Sequence, residues 1–132
     1  MKKSINNFFK KSFTLLEMLV VIGIIAILLG LGAISYSTAQ RKARDAKRKS
    51  DLKTIQNALE QYYAVCGYQY PTPQGSSFSN IYCSSPTQGI LPTVPVDPKT
   101  ITPYPCTDCG TTSYTLCAQT ETEPTPCVRN QQ

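Results

Sequence analysis

The chain has 132 residues, a formal net charge of +5, six cysteines and no histidine. That length leaves room for one domain, and the missing histidine removes the usual general base and the commonest metal ligand. No cluster of carboxylates takes its place, so the composition points away from an enzyme, and no cofactor is expected. The positive charge is local: Lys2, Lys3, Lys10 and Lys11 sit at the N-terminus, and Arg41, Lys42, Arg44, Lys47, Arg48, Lys49 and Lys53 form a second run. From Thr54 onward, Lys99 and Arg129 are outnumbered by Glu60, Asp97, Asp108, Glu121 and Glu123.

Residues 1–12 read as a basic leader, and residues 13–34 as an apolar helix. From Leu15 to Ile34, Glu17 alone is charged. As a helix that stretch covers roughly 30 Å, about the hydrocarbon thickness of a bilayer. A charge within such a span is costly, about 2.5–3.5 kcal/mol at the bilayer centre, so Glu17 calls for a partner. No Ala-x-Ala-like site follows the run, unlike in a secretory signal. The available processing point lies ahead of the run, which would keep the apolar helix in the mature chain.

Ser12-Phe13-Thr14-Leu15-Leu16-Glu17, with a basic leader before it and an apolar helix after it, resembles the Gly-Phe-Thr-Leu-Ile/Leu-Glu cleavage motif of type IV prepilins and type II secretion pseudopilins. The resemblance implies cleavage between Ser12 and Phe13 by a prepilin peptidase, methylation of the Phe13 amine, and pairing of Glu17 with that amine on a neighbouring subunit. Ser12 stands where the family usually has glycine, a departure that bears on the rate of cleavage more than on its position. The family further implies an inner-membrane protein with an extracytoplasmic head, partnered by membrane lipid, an assembly platform and copies of itself in a filament.

Residues 35–66 continue the helix, since neither proline nor glycine interrupts Ser35 to Cys66. Good helix formers dominate Ala39 to Tyr63. Leu52, Ile55, Leu59 and Tyr62 fall on one stripe at helical spacing and predict the seam on which a small sheet packs. Gly67 is the expected C-terminal stop, with Pro71 and Pro73 beyond it. Gly23, Gly30 and Gly32 weaken the first half. Ala26 and Gly30 form a small-xxx-small pair suited to close helix approach. Filaments of this family often unwind a spine segment, and Gly30 and Gly32 are the candidates here. Three readings compete for the basic run: a solvated face with pairs such as Asp45–Lys49, a band meeting acidic groups or headgroups, and a nucleic-acid contact. The last is weakened by the lack of interleaved aromatics.

Residues 67–132 form a head rich in Pro, Ser, Thr, Gly and Tyr. Tyr68 to about Pro103 reads as a long irregular loop. Leu91 to Pro98 is similar to the Leu-Pro…Asp-Pro segment ahead of the sheet in major pseudopilins, and Ser113 to Glu121 resembles their tyrosine-rich strand. Tyr104–Cys106 and Ser113–Gln119 predict two strands around an Asp108-Cys109-Gly110 turn. Pro124 to Gln132 reads as a tail held by Cys127. Six cysteines permit fifteen pairings; the favoured set is Cys66–Cys83, Cys106–Cys117 and Cys109–Cys127. Cys106 and Cys109 as a redox pair, or Cys106, Cys109, Cys117 and Cys127 as a zinc site, are the alternatives. Asp97 and Asp108 are weak calcium candidates. The expected fold is α+β and pilin-like: a long N-terminal helix packed at its distal half on a small antiparallel sheet, with disulfide-stapled loops. The alternatives in function are a DNA-uptake or adhesive pilin, or a membrane-anchored redox or zinc protein.

Overall fold

A computed structural model describes residues 13–132. One helix, α1, runs from Leu15 to Val65, 51 residues without a break. It is followed by β1 (Ile81–Ser84), β2 (Thr87–Leu91), β3 (Cys106–Thr107), β4 (Thr115–Cys117) and β5 (Cys127–Arg129). The chain divides into two units, residues up to Thr38 and Ala39–Gln132.

The first unit is helix from Leu15 onward. It starts at an N-cap: the Thr14 hydroxyl accepts the Glu17 backbone N–H at 3.2 Å, satisfying one of the donors that a helix start leaves open. The helix is continuous through Gly30 and Gly32, and a Cβ at either would meet nothing within 4 Å.

The second unit holds the core. Leu52, Ile55, Ala58 and Leu59 of α1 bury against Tyr70, Phe78, Ile81, Val94, Tyr104, Tyr114, Leu116 and Ala118. The apolar stripe packs as its spacing requires, with Tyr62 at its partly buried end. The helix stops at the expected place. Gly67 adopts φ +87°, and the Tyr68 N–H reaches back to the Tyr63 carbonyl at 3.0 Å, closing the last turn in a Schellman arrangement.

Two small antiparallel sheets replace the single one expected. β1 and β2 form a hairpin, and β3-β4-β5 form a three-stranded sheet in that order. The hairpin corrects the reading of Tyr68 to Pro103 as irregular. Ile81 and Cys83 point inward while Tyr82 and Ser84 face solvent, an alternation only four residues long. Cys106 pairs with Leu116 and Thr107 with Thr115, so the predicted strands around the 108–110 turn are present, the first beginning at Cys106. The tail after Pro124 contributes an edge strand, with Cys127 facing Cys117.

Cys66–Cys83 is bonded as expected, tying the end of α1 to β1. The other two bonds are Cys106–Cys109 and Cys117–Cys127, correcting the favoured set. Register explains the change. Leu116, not Cys117, lies opposite Cys106, while Cys117 and Cys127 are direct cross-strand neighbours with Cα atoms 4.1 Å apart. All six thiols are consumed in these bonds, which removes the four-thiolate zinc site.

Candidate functional site

Two regions carry the functional residues foreseen in the sequence. The first is the start of α1. The leader, with Ser12, lies outside the described residues. Phe13 is two-thirds exposed just before the helix, and Glu17 lies in its first turn with its side chain exposed. Acidic groups suit that position, where unpaired N–H groups give the helix a partial positive end. From Leu15 to Leu31 the large apolar residues are all exposed, including Leu15 at 83% and Leu31 at 70%. A soluble protein would bury such a surface. The helix is long and apolar enough to cross a membrane.

The second region is the basic run, part of which is built into the head. The stripe Leu52, Ile55, Leu59 extends backward at the same 3–4 spacing onto Arg48 and Asp45, and both are 2% exposed. Arg48 Nε meets Asp97 Oδ2 at 2.6 Å and its Nη2 meets Asp97 Oδ1 at 3.1 Å. Its Nη1 reaches Asp45 at 2.7 Å and Glu121 at 3.3 Å. Arg44 grips Glu121 with two bonds of 2.7 and 2.9 Å. Lys99 completes the cluster on Glu121 at 3.2 Å. Three cations thus oppose three anions, and the group is neutral.

The carboxylates also organise backbone. Asp45 accepts the Glu121 and Thr122 N–H groups at 2.9 Å each and the Thr122 hydroxyl at 2.6 Å, fastening the loop between β4 and β5 to the helix. The Thr122 hydroxyl, those amides and Arg48 hold Asp45 well below the ordinary carboxylate range, against the opposing effect of burial. Arg48 does the same for Asp97, helped by the Thr100 and Lys99 amides. Arg44 leads in holding Glu121 down to about 2.

Lys49 pairs with Glu123, not Asp45, and Lys47 pairs with Asp51 at 2.8 Å. The run is therefore not simply a solvated face, and Asp45–Lys49 is not a pair. Arg41 and Lys42 are exposed and take no part in these ion pairs. Four members of the run, Arg44, Lys47, Arg48 and Lys49, are committed to ion pairs within the chain.

Asp97 is fully engaged by Arg48 and two amides, and Asp108 does not join it. Among the described residues no group of side chains is arranged to hold a metal. A cavity of about 570 Å³ lies beside the cluster, lined by Asp97, Lys99, Thr102, Tyr104, Gln119 and Glu121 among others. A third polar group buttresses the far end of the core. Glu60 accepts the Tyr114 hydroxyl at 2.7 Å, the Tyr70 hydroxyl at 3.1 Å and the Gln131 N–H at 3.1 Å.

The family description "Prokaryotic N-terminal methylation motif" matches residues 8–33. Among curated proteins, the type II secretion system core protein G of Escherichia coli (strain K12) is 38% identical over 63 residues, covering 48% of this chain and 43% of that protein. The chain thus spans less than half the length of this relative. No solved structure matches it. The chain thus carries the N-terminal methylation motif and is similar over part of its length to a type II secretion system core protein.

Proposed function

We propose that the chain is the subunit of a type IV pilus or a type II secretion-like pseudopilus, matured by a prepilin peptidase and polymerised through α1. One observation carries the reading: an unbroken helix begins at the Thr14 cap and exposes its entire apolar face over residues 15–32, with one acid in its first turn. Such a surface needs lipid before assembly and other helices after it. Cleavage before Phe13 would create an amine close to Glu17. On a neighbouring copy that amine would neutralise the acid, so each added subunit would hide two charges and set the axial register. Gly30 and Gly32 would let the helix yield where packing in the filament requires it. The head would stand outside the cytoplasm, where its disulfides persist.

The test combines intact-mass and N-terminal analysis of the protein from membranes with electron microscopy of sheared fractions. A chain starting at methylated Phe13, and filaments containing it, are the expected results. Glu17→Ala should give processed subunits that assemble poorly. Abundant filaments from that variant would remove the pairing from the mechanism, and an uncleaved chain would overturn the maturation.

A further inference from the structure

Ile101 combines two features that oppose stability. Its backbone is left-handed, with φ +55°, and its side chain is 77% exposed. A β-branched residue is poorly suited to that conformation because its Cβ crowds the backbone, whereas Gly or Asn would adopt it readily. Burial could offset such strain, yet here none is gained.

The surroundings force the conformation. The loop is closed by the Asp97 N–H on the Thr102 carbonyl and the Ile101 N–H on the Asp97 carbonyl, both at 2.9 Å. Inside it, the Lys99 and Thr100 N–H groups donate to Asp97 Oδ1 at 2.8 and 3.0 Å. Arg48 of α1 fixes that same carboxylate. The helix therefore anchors a rigid loop that projects one apolar side chain into water. Backbone strain held in place this way is characteristic of contact and switch positions.

We infer that this loop is an interaction surface, and that Ile101 docks on a second copy of this chain in the assembled filament; the inference rests on the filament-subunit reading above. The choice of partner follows from size. A single isoleucine offers far too little area to capture a freely diffusing protein. Between heads that bundled helices already hold side by side, the second contact is effectively intramolecular, and one preorganised apolar knob suffices.

Three variants of the full chain test this. Ile101→Asn and Ile101→Gly relieve the backbone and delete the knob, so the head should unfold at higher urea while filament yield falls several-fold. Ile101→Val keeps both strain and apolar surface and should assemble like the unaltered chain. A photoreactive benzoylphenylalanine placed at position 101 should cross-link to another copy of the chain within filaments. Normal filaments from I101N, or adducts confined to lipid or to a different protein, would overturn this inference alone. Absence of filaments from the unaltered chain would overturn the filament reading and this inference with it.

Discussion

The buried pair between Arg48 and Asp97 predicts a large effect from a small change. Asp97→Asn preserves shape and leaves an oxygen for the Lys99 and Thr100 amides, but it sets an NH2 group against a guanidinium. Both residues are buried, Arg48 at 2% and Asp97 at 9% exposure, so water cannot repair the loss. Removing one partner of a buried pair costs about 3–5 kcal/mol. Arg48 keeps Asp45 at 2.7 Å and Glu121 at 3.3 Å, which puts the expected cost near the lower end, about 3 kcal/mol. For a head of this size that lowers the urea midpoint by roughly 2–3 M. The oxidised chain in detergent micelles can be followed by near-ultraviolet circular dichroism, because every tyrosine except Tyr36 lies after residue 60. Lys49→Gln is the comparison: it breaks a half-exposed pair with Glu123 and should cost less than about 1 kcal/mol. If the two variants prove equal, burial is not what gives the Arg48 pair its weight.

Two further outcomes follow from the same unit. Removing disulfides as serine pairs should rank by loop length: about 3 kcal/mol for Cys66–Cys83 and for Cys117–Cys127, at separations of 17 and 10, and about 2 for Cys106–Cys109, at a separation of 3. A largest loss for Cys106/Cys109 in urea titrations would show that chain entropy is not their main contribution. The pH profile of stability should be a plateau. Asp45, Asp97 and Glu121 have folded pKa values below their ordinary ones, so their contribution is complete above about pH 4–5 and lost as pH falls below that. Burial, with Glu60, pushes Tyr70 up to about 12, and burial likewise raises Tyr104 and Tyr114, so their contribution is complete below about pH 10 and lost above it. Stability that rises below pH 4 would contradict this.

Local signals made much of this legible. The length of α1, the stop at Gly67 and the stripe from Leu52 to Leu59 all depend on neighbours a few residues apart, and the structure keeps each of them. The β1–β2 hairpin was hidden because Ile81-Tyr82-Cys83-Ser84 alternates over four residues among Ser, Pro and Thr, too few to separate a strand from a loop. The disulfides were hidden because a one-residue difference in register decides whether Cys106 faces Cys117 or Leu116. The charge cluster left one usable trace: the apolar stripe continues in phase onto Arg48 and Asp45. A charged residue in phase with a buried stripe requires a partner, and Asp97 and Glu121 were unmatched acids far along the chain.

That cluster also bears on membrane orientation. Basic residues lie on both sides of the apolar helix, so counting lysines and arginines gives no clear direction. Arg44, Arg48 and Lys49 meet Glu121, Asp97 and Glu123, partners 49 to 77 residues away, and two of these lie within the loop closed by Cys117–Cys127. These three charges are met by a head that has folded beside the helix, so they share a compartment with its disulfides. Disulfides last where the surroundings are oxidising. Arg44, Arg48 and Lys49 of the second basic run are thus a buttress for the head, each met by an acid of that head.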